Sequence, residues 1–316
     1  GRGGYATVAI EVDDKGRWTH RRFLDAKSQP VPNKDGVFSV QARWTAQGEL
    51  VEALMMDGQG QPLADAAGVA IIRRSYNDRG ATVRRSYYDV QGRPTLRAES
   101  GCAAIEVREP LDQDWREERC FDAQGRPLLS KQGWHLKRMR FSATGQLLEE
   151  AYFDRDGSPT MCRRGDSVCP IHQVRSRFNE LGHRVSGRFF GIHGEPMLGS
   201  QGTAGMNLLY NGQGREERWT HVGLDGQPGR NAEGEIASGT TYDEYGRIIE
   251  RRHVGADGKP LAGMTLVAGM RTEYDELGNV SLRESFDSEG QPVQDKNGVA
   301  IDRSRHDHRG RLIAKR

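Results

Sequence analysis

Thr240–Met264 reads TTYDEYGRIIERRHVGADGKPLAGM, and Thr272–Asp295 follows as TEYDELGNVSLRESFDSEGQPVQD. Each stretch sets an Asp-x-x-Gly turn and a later glycine-rich turn around a short run of alternating residues. The second kind of turn ends at Pro30, Pro62, Pro94, Pro127, Pro159, Pro196, Pro228, Pro260 and Pro292, a spacing of 32 or 33 residues broken once by 37. Two positions earlier stands glycine in every copy except the first, which has Ser28. The first kind of turn ends at Gly16, Gly48, Gly80, Gly145, Gly182, Gly214, Gly246, Gly278 and Gly310, with Gln113 as the one substitute. A fixed period of this length marks a tandem array. Units begin near 4, 36, 68, 101, 133, 170, 202, 234, 266 and 298, and the longer interval places an insertion at 160–169.

Each unit reads as a β-hairpin. Gly68–Tyr76 (GVAIIRRSY) leads into Asn-Asp-Arg-Gly, and ATVRRSYY returns to DVQGRP. An Asx at the first turn position and glycine at the fourth fit a type I turn closed by a left-handed residue. Proline lacks an N–H and so ends the return strand. No unit has a helix-length stretch of 3.6 periodicity. The expected fold is all-β, a single repeat domain over 1–316. About ten 32-residue hairpins form one extended, twisted or curled antiparallel sheet, solenoid-like or shell-like. Two rows of large side chains are expected to form its core. One precedes the first turn (Trp44, Tyr76, Phe141, Tyr210, Tyr242, Tyr274). The other ends the return strand (Met56, Tyr88, Phe121, Phe153, Phe190, Phe286).

Composition agrees with thin layers and much wet surface. Of 316 residues, 35% are hydrophobic, 28% are charged and 40 are glycine. A formal charge of +2 exerts no general pull on nucleic acid. No apolar run approaches a membrane span, so neither nucleic acid nor membrane insertion is expected of this segment. From the GRGG start and RLIAKR end, a piece of a longer chain is expected.

Four cysteines carry a compartment argument. Cys102 and Cys120 occupy columns that face each other across the base of one hairpin, which predicts a disulfide. Cys162 and Cys169 bracket the insertion and predict a second. Two local pairs fit an oxidising compartment, periplasmic or extracellular at the cell surface. Cys169 and His172 alone lack the Cys-x-x-Cys spacing of a zinc site, so no metal is expected.

Candidate binding residues are basic. Arg73, Arg138 and Arg175 share one column, with Arg140 and Arg177 two residues on from the last two. Such rows suit an anionic glycan or an acidic protein, while Glu52, Glu117, Glu149, Glu150 and Glu250 supply counter-charges. Arg164-Gly165-Asp166 within the insertion matches an integrin-binding tripeptide, which adds Arg164 and Asp166. His221 and His253 occupy equivalent columns of adjacent units, where other units carry Phe23, Tyr87, Tyr152 and Phe189, so aromatic-like packing is expected of them. No nucleophile elbow, phosphate loop, zincin helix or dinucleotide fingerprint occurs, and most aspartates begin turns. The expectation is no catalytic residues, no cofactor and no enzyme.

At YDEYGRII, YDELGNVS, FDAQGRPL and HDHRGRLI the chain resembles bacterial YD repeats, the units of RHS (rearrangement-hotspot) proteins. The resemblance implies long β-sheets that curl into toxin-enclosing shells or stand as surface stalks. The chain departs from that pattern in its longer, very regular period and in lacking a DPxG motif. The reading is a non-enzymatic repeat scaffold of a bacterial cell-envelope or secreted protein, presenting a β surface to a protein or glycan. The alternatives are a wall segment of an RHS-like shell and a catalytic module of the envelope.

Overall fold

A computed structural model of the protein describes residues 3–110, 114–163, 171–255, 259 and 266–316. The chain divides into two compact units, Gly1–Asp166 and Ser167–Arg316, and the division falls inside the interval that the proline spacing marks as an insertion. The first unit holds β1 (Thr7–Val12), β2 (Trp18–Leu24), β3 (Ser39–Trp44), β4 (Leu50–Met56) and β5 (Ile71–Tyr76). It continues with β6 (Thr82–Tyr88), β7 (Ala104–Arg108), β8 (Trp115–Phe121), β9 (Leu136–Phe141) and β10 (Leu147–Phe153). The second holds β11 (Gln173–Phe178), β12 (Arg184–Phe190), β13 (Gly205–Tyr210), β14 (Glu216–Val222) and β15 (Ala237–Tyr242). Its remaining strands are β16 (Ile248–Val254), β17 (Gly269–Tyr274), β18 (Val280–Phe286), β19 (Ile301–His306) and β20 (Leu312–Lys315). Within each unit every strand pairs antiparallel with the next in chain order, and no helix occurs among the described residues. The fold is all-β, as the turn spacing requires.

Turn chemistry explains why the chain reverses where it does. In the first hairpin Gly16 has φ 74° and donates its N–H to the Asp13 carbonyl at 3.0 Å. The Asp13 carboxylate accepts the N–H groups of Lys15 and Arg17 at 3.0 and 2.9 Å. This Asx arrangement offers the backbone a local partner that neither helix nor ladder supplies. The turns before Pro30, Pro62, Pro94, Pro127, Pro159 and Pro292 have the same build, for example Asp57 with Gln59, Gly60 and Gln61, whereas Gly191 and Gly223 begin those before Pro196 and Pro228. Ser28 adopts the left-handed conformation of its column, at φ 62°.

A third turn, led by an Asx in four of the described repeats, escaped the sequence reading. Asn33 accepts the N–H groups of Asp35 and Val37, Asp65 those of Ala67 and Val69, and Asp295 those of Asn297 and Val299. Gly36, Gly68 and Gly298 close these turns at positive φ, so these expected unit starts are turn residues. Leu266 takes the glycine's place in one copy, at φ 62°. Successive third turns are bonded to one another: Lys34 N–H donates to Gly3 O, Ala66 to Asp35 O, Ala98 to Ala67 O, Lys131 to Ser100 O and Arg163 to Gln132 O, at 2.8–2.9 Å. Each such bond contributes about 0.5–1.5 kcal/mol net. Neighbouring repeats are therefore joined by strand pairing and by a second ladder through the turns.

The register corrects the expected core. Arg43 pairs with Glu52 but Trp44 pairs with Leu50, so Val51 is an extra residue that forms a bulge on the return strand just after the first turn. Nine hairpins slip at this place, whereas β7–β8 shows no slip among its described residues. Directly paired side chains share a face. Ser39/Met56, Gln41/Leu54 and Arg43/Glu52 therefore lie on one face, here the arginine face. Val40/Met55, Ala42/Ala53 and Trp44/Leu50 lie on the other, here the tyrosine face. The two rows expected to form one core thus point to opposite sides. The row before the turn is half-buried throughout. The most buried side chains gather at the hairpin bases beside the third turns: Val37, Val69, Tyr87, Cys102, Cys120 and Trp134 in the first unit, Ile171, Val222, Ala237 and Phe286 in the second. Burying one such large apolar side chain stabilises by roughly 1.5–3 kcal/mol.

Candidate functional site

The arginine column lies on top of the aromatic row that ends each return strand. Arg73 is 4.4 Å from the Tyr88 ring centroid and donates to Glu52 at 2.7 Å. Arg271 repeats this with Phe286 at 4.3 Å and Glu250 at 3.2 Å. Arg138 lies 5.2 Å from Phe153 and donates twice to Glu117 Oε1, at 3.1 and 2.8 Å. Arg175 stacks over Phe190 at 4.5 Å. The ring lies fifteen residues after its arginine, and the glutamate twenty-one before it, directly across from it on the preceding repeat. In one repeat the charges exchange columns: Arg84 pairs with Glu106 and stacks over Phe121 at 5.5 Å.

Electrostatics follow this pairing. Burial raises and the Arg73 hydrogen bond lowers the Glu52 pKa, with a net shift below the ordinary carboxylate value, and the bond to Glu52 raises the Arg73 value. Glu117, 2% exposed, accepts from Arg119 at 2.6 Å as well as from Arg138. Arg140 reaches Glu149 at 3.5 Å. The second unit differs. Arg175 stands directly across from Arg188, whose pKa is lowered by burial and then by the charge of exposed Arg177. Arg188 donates to the carbonyls of Gly187 and Met206 and to Asn207 Oδ1. The structure therefore divides the expected basic set, with Arg73, Arg138 and Arg140 on one compact unit and Arg175 and Arg177 on the other.

On the tyrosine face a second regular link appears. The hydroxyl of Tyr76 donates to Leu50 O at 2.8 Å, Tyr210 to Arg184 O at 3.0 Å, Tyr242 to Glu216 O at 2.7 Å and Tyr274 to Ile248 O at 2.9 Å. Trp44 does the same with its indole N–H, to Trp18 O at 2.7 Å. Each donor reaches the first residue of the preceding return strand, twenty-six residues earlier.

Cys102 and Cys120 form the expected disulfide, with Cα atoms 5.4 Å apart and both side chains fully buried. Cys162 is described and buried, while Cys169, Arg164, Gly165 and Asp166 lie outside the described residues. His172 is buried. Among the described residues no group of three or more His, Cys, Asp or Glu side chains is placed to hold a metal.

His221 and His253 are linked through the third turn between their strands. His253 Nδ1 lies 3.0 Å from Glu235 Oε1, Asn231 Nδ2 donates to Glu235 Oε2 at 3.1 Å, and the same amide nitrogen is 3.1 Å from His221 Nε2. Burial lowers the His221 pKa, with Glu235 opposing, so its imidazole is neutral at neutral pH. Trp219 meets the His221 ring edge-on at 4.7 Å. His221, Trp219, Asn231 and Glu235, but not His253, border a cleft of about 480 Å³. A second recess, of about 810 Å³, is lined by Glu109, Pro110, Asp114 and Trp115, beside the turn that the sequence places around Gln113, and Arg116 pairs with Glu109 at 3.2 Å. The sequence reading marked that turn and the two histidines but not the cleft, since Trp219 stands in a column that other repeats fill with Ala53, Arg85, Glu118 or Gly187. An aromatic interrupting a small or charged column was the available signal.

No protein-family profile and no curated protein sequence matches the chain. Solved structures with some likeness include TcdB2-TccC3-Cdc42 (12% identity, TM-score 0.26, covering 99% of this chain and 22% of that one). TcdB2-TccC3-TEV follows, at 12% identity and TM-score 0.29, covering 94% and 16%. A Photorhabdus luminescens Tc holotoxin pore with a mutated TccC3 gives 10% identity and TM-score 0.24, covering 99% and 19%. The chain thus spans about a fifth of the length of the solved chains it matches. Scores at this level bear on neither the fold nor the function of the chain.

Proposed function

We propose that the chain is a non-enzymatic β-hairpin-repeat scaffold of a bacterial cell-envelope or secreted protein, presenting a sheet surface to a partner. One observation carries the reading: the polar side chains that recur in the repeats are engaged with the adjacent repeat. Tyrosine hydroxyls reach the preceding return strand, and arginines bridge the preceding glutamate and their own repeat's ring. Groups held in this way maintain a surface rather than poise a reaction. Exposed ion pairs stabilise little singly, but repetition gives a repeat array its cooperativity. The Cys102–Cys120 disulfide supports an oxidising compartment.

A wall segment of an RHS-like shell is the second reading. It is favoured by Tyr242 and Tyr274, the tyrosines of YDEYG and YDELG, because the motif that carries the resemblance also makes the inter-repeat bond.

Deleting residues 37–68 joins Gly36 to Val69 in equivalent columns and tests the scaffold reading. The shortened chain is expected to keep its β circular dichroism and cooperative unfolding. Purified full-length chain is expected to turn over no ester, phosphoester, glycoside or peptide substrate. Turnover abolished by a single substitution at His221 or Glu117 would overturn the proposal.

A further inference from the structure

In one stretch of the second unit the arginine face loses its counter-charges. Beside the bulge of three hairpins an arginine stands directly across from a glutamate: Arg43 from Glu52, Arg108 from Glu117 and Arg140 from Glu149. In β11–β12 the glutamate is gone, and Arg177 stands across from Ser186. Two residues earlier Arg175 stands across from Arg188, and like charges so placed weaken a sheet. Strands β11, β12 and β13 contain no aspartate or glutamate. On β14, Glu216 pairs with Tyr210 on the tyrosine face, which leaves Glu217 at the bulge. Arg177 is exposed and makes no hydrogen bond or ion pair. Arg188 donates to neutral acceptors only, Gly187 O at 2.9 Å, Met206 O at 2.7 Å and Asn207 Oδ1 at 2.7 Å, and its Nη2 keeps a second N–H. Arg218 on β14 donates to Gly255 O at 3.4 Å and meets no carboxylate among the described residues.

Between these arginines the sheet presents small polar groups. Ser186, Asn207 and Thr220 stand directly across from one another on three consecutive strands. Asn207 is exposed and turns its Oδ1 toward Arg188, so its NH₂ group remains a donor. Leu209 is the one exposed large apolar side chain on this face of β11–β14 among the described residues. The matching ligand carries separated negative charges with hydroxyl groups between them. Arg188 and Arg218 lie two strands apart, roughly 10 Å, whereas a nucleic-acid strand places a charge about every 3.4 Å. A protein partner would bury an apolar centre, and this face offers Leu209 alone. A glycan with uronic acid units separates its carboxylates by hydroxylated rings.

We infer that the arginine face of β11–β14 is a binding site for a uronate-bearing glycan. Arg177, Arg188 and Arg218 meet its carboxylates, and Ser186, Asn207 and Thr220 exchange hydrogen bonds with its hydroxyls. The inference deepens the scaffold reading, on which it rests, by naming the chemistry of the partner and the strands that take it.

The test titrates the intact full-length chain by calorimetry, at low ionic strength, with polygalacturonate, alginate, hyaluronate, maltohexaose, polyglutamate and polyphosphate. At least one of the three uronate polymers is expected to bind saturably, and more weakly as salt rises. Maltohexaose is expected to be inert, and polyglutamate and polyphosphate to bind less tightly. Ser186→Glu restores the carboxylate that stands across from Arg43 and Arg140 in other repeats, so it suits the fold while occupying Arg177. Arg177→Gln removes the exposed charge itself. Each is expected to weaken binding by about tenfold, a loss of 1.4 kcal/mol. Arg43→Gln, in the other compact unit, is expected to leave the affinity unchanged. Absence of binding to all three uronate polymers, equal binding by the Ser186→Glu chain, an equal loss in the Arg43→Gln chain, or binding of polyglutamate or polyphosphate as tight as that of any uronate polymer would each overturn the inference. The scaffold reading is tested separately, because residues 37–68 belong to the other compact unit.

Discussion

Ser28 is the single departure from glycine in the column before the prolines, and it isolates the torsional cost of these turns. Its φ of 62° is that of Gly60, Gly92 and Gly125, at 75–79°, and its N–H still donates to Asp25 O at 3.1 Å. The side chain is exposed, so replacing it with glycine removes no packing. An L-residue in the left-handed region costs about 1–2 kcal/mol, and the added freedom of glycine in the unfolded chain returns roughly 0.5–1 kcal/mol of that. Ser28→Gly is therefore expected to stabilise its turn by about 0.5–1 kcal/mol. Gly60→Ser is the reverse experiment. A Cβ at Gly60 meets nothing within 4 Å, so its expected cost, about 1 kcal/mol, is purely torsional. Native-state hydrogen exchange of the amides from Asp25 to Val31 reads the first change as slowing of about two- to fivefold, and the same measurement around Gly60 reads the second as acceleration. Equal exchange in wild-type and Ser28→Gly chains, or a neutral Gly60→Ser, would refute the reasoning.

Removing single hydroxyls tests the tyrosine links: Tyr76→Phe and Tyr242→Phe should each lower urea-unfolding stability by about 1 kcal/mol, additively because they lie in different units. No change in either variant would show that these bonds exchange with water at no cost. Acid should destabilise the chain through its turns. Asp89, Asp122, Asp295 and Asp307 have pKa values below the ordinary aspartate value of 3.8, chiefly because the backbone N–H four residues on donates to each carboxylate. Folding therefore favours the charged form. Its contribution is complete above the unfolded value and drains as pH falls through the lower folded values. The urea midpoint should hold down to about pH 4 and fall below it, with a shallower fall when these four are asparagine. Cys102→Ser with Cys120→Ser should cost about 2–5 kcal/mol, read by the same unfolding, and alkylation of unreduced wild-type protein should leave both cysteines unlabelled.

The sequence by itself determined the repeat, two of its three turns and the disulfide of one hairpin. These are short-range matters: an Asx accepts from residues two and four ahead, a left-handed position calls for glycine, and one unit contains both cysteines. The third turn is written in the same code, as NKDG at 33–36 and DKNG at 295–298, but its glycine also stands where a strand start is expected. Tertiary structure decided which residues meet. The bulge at Val51 and its counterparts inserts one residue between turn and strand, and a one-residue change of register sends every following side chain to the opposite face. Simple alternation therefore placed Trp44 and Met56 on one side when they lie on two. For the same reason the arginine column was legible, but its seat on the aromatic row was not. The cleft depends on the crossing of a hairpin face with a turn of the same repeat. No residue spacing announces that Asn231 orients His221, because the contact is fixed by where the third turn lands on the sheet.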